Sequence, residues 1–457
     1  ARSPQAGRSS GKDSARQMER SVGPGWRRHP SLTTREHSML NVDGPAHLRL
    51  RRLVVKAFTR RTIDALRPSI ERTVTGLLDP LAEAGGGDVL EALAFPLPVT
   101  VIGEMLGVPE ADRGQFRPLV RDVTAVLEVR PTAAQLAAAD TASAVIRDYF
   151  ARLIAEKRRR PGDDLLSKLV HVEDDGDRLS DDELETLASL LFGAGFETTT
   201  NLIGNGLLGL LRQPEEIDRL RAEPALFANL PDELLRFDGT AQLAGRYTRV
   251  SVDVGGVTIP AGEGVLTLLG AANHDPARFP DPDRLDVTRT GIEPLSFGGG
   301  VHFCLGSLLA QAEIEVTFRT LLGRFGTIEL RSEPRFRDRL TLRGLEALDV
   351  ACRVEAPAVR PSVAPAVRSR ASIPAREAPR LDPAVPVLGV RPRADGAWRA
   401  ALRSRVEGGE AMGGEAIGRD VAAKMILLGR TQLFRRCTFA ELEELAATAY
   451  AMSFEPG

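Results

Sequence analysis

The sequence has few cysteines, and their spacing argues against several kinds of protein. Only Cys304, Cys352 and Cys437 occur among 457 residues. They lie far apart and form no Cys-x-x-Cys pair, which argues against a disulfide scaffold, a zinc site or a redox motif. Such sparse cysteine use is typical of the reducing cytoplasm. We therefore expect a cytoplasmic protein, long enough to build a sizeable apolar core.

Long apolar runs and an excess of charge of one sign are also missing. No run of about 18 apolar residues occurs, and Ala1–Pro4 lacks the apolar core of a signal peptide. The 60 basic and 62 acidic residues give a net charge of -2, so no overall field attracts nucleic acid or an anionic membrane. We predict no membrane and no nucleic acid as partners, but a small molecule or a protein. The start without Met suggests a segment of a longer polypeptide.

What the chain does contain is a glycine-rich stretch before Cys304. Gly298–Gly300 cannot form the interior of a helix or strand, because glycine loses the most backbone entropy on ordering. From Leu305 onward, apolar residues recur at helical spacing, which places Cys304 at or just before a helix N-terminus. There the helix dipole favours a thiolate, which suits one bond to a metal centre. The alternative is a cysteine that merely packs, the usual role of a lone cysteine.

The residues around Cys304 favour the metal ligand. The run resembles the haem-binding loop of the cytochrome P-450 family of haem-thiolate monooxygenases at every defining position, namely Phe297, Gly298, Gly300, His302, Cys304 and Gly306. The resemblance implies that Cys304 is the axial ligand of haem b and that O2 is a cosubstrate. It also implies a mainly α-helical fold with a small β-sheet region.

A second stretch, from Asp43 to Thr59, is predicted to be a helix with a basic face. Asp43 is a plausible N-cap, and Pro45 fits the first turn. His47 and Arg51 are four positions apart and lie on the same face of the helix. A basic helix face is more often a solvated surface than a binding site. The segment nevertheless resembles the P-450 helix whose His and Arg bind a haem propionate. Two cations on one face suit a carboxylate.

The longest predicted helix follows Ser180. Ser180 and Glu183 form a capping box, and helical periodicity then continues for about 32 residues to Arg212. Five glycines lie inside it: Gly193, Gly195, Gly204, Gly206 and Gly209. Each costs about 1 kcal/mol relative to Ala, so their number indicates either close packing or room for a bulky flat ligand.

A short cluster within this helix, Ala194 to Thr199, resembles the acid–alcohol pair of the P-450 helix over the haem. Ala194 and Thr198 are four positions apart on one face. The Thr198 hydroxyl can bond back to the carbonyl of residue 194, or it can hold an oxygen ligand. Glu197, where the family more often has Asp, is expected to relay protons through water. The resemblance makes Glu197 and Thr198 catalytic and places Ala194 against the cofactor.

A Glu-x-x-Arg motif, Glu233 and Arg236, follows the long helix. As an isolated pair it would contribute only about 0.2–0.5 kcal/mol. In this position it resembles the P-450 motif that pairs with an arginine in a later loop, for which Arg284 is the candidate. The three residues are expected to hold the cysteine loop in shape. Arg246 and His302 match further positions that neutralise the propionates.

The resemblance runs from about residue 20 to 350 and lacks the family's front end. We predict that 1–354 form an N-terminally incomplete monooxygenase domain, in which residues 1 to about 40 are mainly loop. Eight prolines between Glu355 and Arg393 predict a disordered linker, 355–394. Residues 395–457 become helical again, and Gln432–Leu445 resembles the opening of a cyclic-nucleotide-binding domain.

These resemblances imply a monooxygenase that oxidises an apolar small molecule. Helices predicted at 112–128 and 133–158 correspond to the roof of the substrate pocket, but apolar stripes like theirs are more often core than ligand contacts. No flavin or iron–sulfur motif is present, so a separate ferredoxin and reductase are expected to supply electrons. The alternative is a haem-binding regulatory protein coupled to the nucleotide-binding module, against which the intact Glu197–Thr198 pair argues.

Overall fold

The computed structural model describes residues 10–11, 14–171, 178–254 and 257–354. The predicted linker and the segment resembling a nucleotide-binding domain lie outside these residues and remain predictions. The chain divides into two units, and the larger comprises Ala1–Ser251 and Pro260–Val354. The described part of the smaller unit is an antiparallel pair of short strands.

Helices make up most of the described residues. In chain order they are α1 (Ser14–Val22), α2 (Pro30–Glu36), α3 (Gly44–Val55), α4 (Arg60–Glu83), α5 (Pro96–Leu106), α6 (Glu110–Arg113), α7 (Phe116–Thr124), α8 (Ala133–Arg159), α9 (Leu165–His171), α10 (Asp181–Leu211), α11 (Pro214–Ala222), α12 (Leu230–Asp238), α13 (Leu269–Ala272) and α14 (Ser307–Arg324). Single turns of 3-10 helix occur at Trp26–Arg28, Lys56–Phe58, Ala125–Leu127, Pro224–Ala228, Leu295–Phe297 and Gly300–His302, and a π-helix spans Leu90–Ala94.

The strands are short and form small antiparallel sheets. They are β1 (Ser10–Gly11), β2 (Gly86–Asp88), β3 (Leu243–Thr248), β4 (Val252–Val254), β5 (Val257–Ile259), β6 (Gly264–Leu268), β7 (Phe325–Leu330) and β8 (Asp349–Val354). One sheet has the order β1-β3-β6, another has the order β2-β8-β7, and β4 pairs with β5. The predicted fold class, mainly α with a small β-sheet region, is confirmed.

Helix α10 begins as the sequence predicts. The Ser180 hydroxyl accepts the Glu183 N–H at 3.2 Å, and the Glu183 carboxylate accepts the Ser180 N–H at 2.9 Å. The helix has 31 residues, which corresponds to about 46 Å, and packs against α5, α8, α12 and α14. Neither it nor another helix of the described ranges is long and apolar enough to cross a membrane.

Close packing accounts for a glycine in the second half of α10. A Cβ on Gly206 would lie 2.7 Å from Leu234 and 3.2 Å from Phe318, which is closer than side chains tolerate without shifting. A Cβ on Gly193 would meet only Val120, at an ordinary 3.7 Å. The glycines of this helix therefore do not share one cause, because a side chain has space at Gly193 but not at Gly206.

The prediction of loop for residues 1 to about 40 is wrong, because α1 and α2 lie within them. Met18 of α1, Leu32 of α2 and Trp26 of the 3-10 turn between them are buried against Leu136 and Ala139 of α8, in a small core of their own. The three side chains are too widely and irregularly spaced to form a local helical stripe. Their partners lie on a helix far along the chain, so a local pattern cannot reveal these helices.

Much of the predicted roof is core. Phe116 of α7 lies 4.6 Å from Phe192 of α10 between ring centroids, and 6.1 Å from Phe150 of α8. All three rings are buried in the main apolar cluster of the larger unit. The structure thus agrees with the view that the stripes at 112–128 and 133–158 are mainly core at these positions.

Candidate active site

The cysteine loop, Leu295–Gly306, is shaped by its glycines and by a bond across the loop. Gly298 and Gly300 have φ values of 68° and 66°, in a region that residues with a side chain rarely adopt. The Cys304 N–H donates to the Phe297 carbonyl at 3.0 Å. The loop therefore presents Cys304 just ahead of α14, as the sequence predicts.

The Cys304 thiol is in a poorly solvated position. Burial raises its pKa, whereas a hydrogen bond from the Gly306 N–H and the charge of Arg51 oppose that rise less strongly. The start of the helix alone therefore does not make this thiol a thiolate. A metal ion would, because a coordinating thiol is deprotonated. The site fits a metal ligand better than a free nucleophile.

Four glycines of the cysteine loop border open space. A Cβ built on Gly298, Gly299, Gly300 or Gly306 meets no atom within 4 Å. Positions inside a packed core would meet neighbours at that distance. This backbone is therefore accessible to a flat group lying against it.

One face of α10 also borders open space. Leu190, Ala194 and Thr198 are four positions apart and exposed or partly exposed, although Phe192 and Phe196 between them are buried. The Thr198 hydroxyl donates to the Ala194 carbonyl at 2.8 Å, so the back-bond is the alternative that the structure contains. Its oxygen can still accept a hydrogen bond from the open side.

Basic side chains gather beside the cysteine loop. The buried His47 ring lies 4.2 Å from the His302 ring between centroids, and the Arg51 guanidinium donates to the Phe303 carbonyl at 2.7 Å. Among the described residues, no group hydrogen-bonds to His47 Nδ1. Burial, followed by the charges of His302 and Arg51, lowers the pKa of His47 to about 4.

Asp43 joins these groups together. Its carboxylate lies 2.6 Å from His302 Nε2 and 2.9 Å from Arg249, and its charge also acts on the partly buried Arg246. Burial nevertheless lowers the pKa of Arg246. Asp43 does occupy the N-cap position of α3, but its side chain makes no capping bond, because it faces these cations.

The predicted propionate-binding residues are thus brought into one cluster. It contains His47, Arg51, Arg246 and His302. A buried ring nitrogen without a partner costs free energy unless a ligand satisfies it. A carboxylate among several cations would do so, and the donor set therefore fits the propionates of haem.

The Glu-x-x-Arg pair is buried and fully bonded. Glu233 and Arg236 are 0% and 1% exposed, and two parallel hydrogen bonds of 2.8 Å join them. Arg236 also donates to the carbonyls of Asn273, Pro282 and Arg284. This is a structural arrangement rather than the surface pair that the motif alone would suggest.

The predicted partner Arg284 is wrong in its side chain. Its carbonyl accepts from Arg236 at 2.8 Å, while its guanidinium is half exposed and lies 3.6 Å from Glu216. Arg289 takes the expected place, with Nε 3.4 Å from Glu233 Oε1. Because the Arg284 carbonyl is turned inward, its side chain reaches a different carboxylate. Nothing in the sequence distinguishes the two arginines.

Asn273 connects this pair to the cysteine loop, and sequence reasoning missed it. Its side-chain oxygen accepts the Leu295 N–H at 2.7 Å, and its amide donates to Ser296 at 2.8 Å. Its carbonyl accepts from Arg236 at 3.1 Å. The buried arginine is therefore one residue away from the start of the loop that carries Cys304.

Glu197 is paired with a residue that the motifs do not include. Arg337 Nη1 donates to Glu197 Oε1 at 2.8 Å, and the two side chains are 8% and 6% exposed. The residues are 140 positions apart, so no spacing rule could have joined them. The predicted proton relay is thus held in an ion pair.

A second buried carboxyl lies near this region. Glu313 of α14 is bonded to Thr199 of α10, and burial raises its pKa to about 8. It is therefore neutral over most of the physiological pH range. Its only sequence signal is a Glu within an apolar helical stripe.

This fold and site define a class of protein. Residues 3–343 match the cytochrome P450 family model, and the chain belongs to that family. It is a haem-dependent monooxygenase that oxidises a small molecule, and the family's cofactors are haem b with a cysteine thiolate ligand and O2.

Particular relatives are bacterial. The chain is 44% identical over 316 residues to cytochrome P450 107B1 of Saccharopolyspora erythraea, covering 68% of this chain and 76% of that protein. It is 41% identical over 312 residues to 6-deoxyerythronolide B hydroxylase of the same organism, covering 67% and 76%. The structure is similar to the polyketide synthase P450 PksS of Bacillus subtilis, with a TM-score of 0.66, 38% identity and coverage of 71% and 83%.

Proposed function

We propose that the protein hydroxylates an apolar small molecule of polyketide type, and that Glu197 and Thr198 deliver protons for that reaction. The observation that carries the proposal is the open face of α10. Two apolar side chains, Leu190 and Ala194, precede one hydroxyl, that of Thr198, along a helix that is otherwise largely buried. Such a face suits an apolar substrate held beside a proton donor.

The residues of the cysteine loop and the cation cluster would hold the cofactor. Cys304 would bind the iron, and His47, Arg51, Arg246 and His302 would bind the propionates. Haem, when bound, supplies the activation of O2 and the transfer of one oxygen atom to the substrate. The open backbone of the loop lets this group approach.

Protons would pass from Glu197 to Thr198 through water. The Thr198 hydroxyl donates to the Ala194 carbonyl, so its oxygen is oriented to accept a hydrogen bond from a water in the open space. A carboxylate next to it can exchange that proton with solvent. Its ion pair with Arg337 keeps it in one position until it does.

The names of two relatives and the apolar lining support the proposed substrate class. One relative is named a hydroxylase of 6-deoxyerythronolide B, and another is named for polyketide biosynthesis. In this chain Val123 and Leu127, at the end of the roof segment, are partly exposed and supply further apolar surface. We propose a polyketide over a terpene or a fatty acyl chain on this basis.

Spectral titration of the haem-loaded full chain tests the proposal. We expect a macrolactone to shift the Soret band and to be hydroxylated with surrogate redox partners, whereas a fatty acid and a terpene of similar size bind more weakly. A reduced, carbon-monoxide-bound form without the thiolate-type band would contradict the assignment of Cys304. Turnover of the terpene alone would contradict the substrate class.

We propose a ferredoxin and its reductase as separate electron donors. Exposed cations lie at the end of α3 and the start of α4: Arg52, Lys56, Arg60 and Arg61. Their neighbour Arg51 bonds to the cysteine loop. An acidic iron–sulfur protein would be attracted to this surface.

We also propose that this reaction takes place in the reducing cytoplasm, because both described cysteines carry thiols outside any disulfide. Cell fractionation tests this location.

Charge reversal tests the donor surface. We expect Arg52→Glu with Arg61→Glu to slow reduction by ferredoxin about tenfold at low salt, and less at high salt. Arg152→Glu with Arg159→Glu, on exposed parts of α8, makes the same charge change elsewhere and should leave the rate unchanged. Equal slowing by both would mean that net charge, not this surface, matters.

A further inference from the structure

We infer that Arg337 is a positioning residue for Glu197, and that it depends on the roof through residues 337–343, here called the clip. The inference rests on the proposed role of Glu197 as a proton relay. The clip contacts three helices: α7 with its following turn, α10 and α12. It thereby joins the roof of the substrate pocket to the proposed proton donor.

The first step is the ion pair itself. Arg337 and Glu197 are both nearly buried, so the carboxylate has little water to stabilise other positions. Arg337 Nε is buried and has no partner among the described residues. The charges of Arg121 and Arg339 destabilise the charged form of Arg337, whereas the charge of Glu197 stabilises it. Glu197 is therefore the group that accounts for a cation at this place, and each side chain fixes the other.

The second step is the attachment of the clip to the roof. Glu128, which follows the turn after α7, accepts the Leu340 N–H at 3.0 Å and the Thr341 N–H at 3.2 Å. The Thr341 hydroxyl donates to the Leu127 carbonyl at 3.0 Å. Arg339 reaches the other side and donates to the Arg121 carbonyl at 2.7 Å. Side chains and backbone of the clip thus hold the end of the roof segment.

The third step is the stiffness of the clip between these two attachments. The Arg339 N–H donates to the Arg337 carbonyl at 2.8 Å, and the Arg337 N–H donates to the Gly344 carbonyl at 2.9 Å. At the far end, Arg343 donates to Asp238 of α12 at 2.7 Å. A segment with bonds at every second residue moves as a unit rather than bending freely.

The consequence concerns when protons can be delivered. A displacement of the roof segment also displaces residues 339–341, which are bonded to it. Because the Arg339 N–H is bonded to the Arg337 carbonyl, Arg337 moves with them, and so does its partner Glu197. The clip is also bonded to residues 238–242, through Arg343 to Asp238 and through the Thr341 carbonyl to the Gln242 N–H, so the roof segment supplies one of its two attachments. The position of Glu197 is therefore fully fixed only when the roof has closed over a substrate, which limits loss of electrons in its absence.

Variants of the haem-loaded full chain test this inference. We expect Arg337→Gln to lower the fraction of electrons recovered in product about tenfold, which is less than the roughly 10²–10⁴-fold contribution of a positioned acid or base because Glu197 itself remains, and to change the solvent isotope effect. Arg337→Lys should lose less, because it keeps the charge. Arg335→Gln is the matched control, since Arg335 lies two residues before the clip and is 86% exposed, and it should behave as the unaltered protein.

Hydrogen peroxide separates positioning from general damage. It brings its own protons and needs no electron donor, so Arg337→Gln should lose less product with peroxide than with ferredoxin. An equal loss of product with peroxide and with ferredoxin, or no loss with either, would overturn the role of Arg337. If the unaltered protein forms no product at all, the proposed function fails, and this is distinguishable from a failure of Arg337 alone.

The attachment to the roof has its own measurement, which needs no turnover. We expect Glu128→Gln to speed hydrogen exchange of the Leu340 and Thr341 amides, because a neutral acceptor binds them less well, and to speed exchange in the peptide around Glu197. Faster exchange at the clip without any change around Glu197 would overturn the coupling. In a double-mutant cycle, Glu128→Gln and Arg337→Gln should be non-additive.

Discussion

The network behind the cysteine loop and the residues that follow Thr198 on α10 differ in how completely their buried polar groups are bonded. On the cysteine side, Arg236 makes five hydrogen bonds, and Asn273 carries the network to the loop. On α10, both side-chain polar atoms of Asn201 and the Thr200 hydroxyl are buried, and no group among the described residues hydrogen-bonds to them. A metal ligand needs a fixed position, whereas proton transfer needs groups that can change partners.

The largest expected effect breaks the bonded side. Arg236→Leu leaves the Glu233 carboxylate buried without its partner, so the free energy of unfolding should fall by about 3–5 kcal/mol. Chemical denaturation of the haem-loaded chain measures this. Arg284→Leu is the control, because that side chain is half exposed and its ion pair should contribute less than about 1 kcal/mol. A loss well above 1 kcal/mol from Arg284→Leu would support Arg284, the candidate from the sequence, as the partner of the Glu-x-x-Arg pair.

The pH dependence of stability tests Glu313, which joins α14 on the cysteine side to α10 on the opposite side. Its pKa is about 8 in the folded protein against an ordinary value of 4.5, so the folded state retains a proton that the unfolded state loses. The stabilisation is complete below pH 4.5 and is lost as pH rises through 8, by on the order of 5 kcal/mol. Unfolding measured from pH 5 to 9 should show this slope, and Glu313→Gln should flatten it. A slope that persists in the variant would assign it to another group.

Two glycines sharpen the comparison within α10. Gly206→Ala forces a methyl group to within 2.7 Å of Leu234 and should destabilise the fold by about 1–3 kcal/mol. Gly193→Ala meets only an ordinary contact and should stabilise the fold by up to about 1 kcal/mol. Thermal unfolding distinguishes them. Similar losses at both positions would mean that the surroundings of Gly193 are as tightly packed as those of Gly206.

Thr198→Ala is expected to have the smallest effect on the structure and to change only the chemistry. Thr198→Ala removes a partly exposed hydroxyl, so the fold should be unaffected, while product per electron consumed should fall about tenfold. Measuring NADPH consumption, hydrogen peroxide release and product together gives this ratio. Thr199→Ala is not a suitable control because Thr199 bonds to Glu313; Thr75→Ala, on the exposed face of α4, is. Unchanged coupling would remove Thr198 from the proton path.

The sequence predicted those parts that depend on neighbouring residues. The capping box at Ser180 and the position of Cys304 before α14 follow from local spacing, and both are present. The helices α1 and α2 were missed because the core that buries their side chains is completed by Leu136 and Ala139 of α8, far along the chain. The Glu197–Arg337 pair was missed because it joins residues 140 positions apart.

The choice between Arg284 and Arg289 shows a different limit. Both lie in one loop after the Glu-x-x-Arg motif, and both are long and basic. Which of them faces Glu233 depends on which carbonyls the loop turns toward Arg236. Backbone orientation in an irregular loop has no periodicity, so it is set by tertiary contacts that a single sequence does not display.

The bonds between α3 and the cysteine loop have a consequence for the order of folding. His302 meets Asp43 across 259 positions, and Arg51 meets Phe303 across 252. Contacts so distant along the chain carry a large loop-closure entropy and form late. During synthesis, the N-terminal part of the cation cluster leaves the ribosome long before the loop that completes it. The site can close only after residue 304 has emerged, so haem capture is expected among the last events of folding.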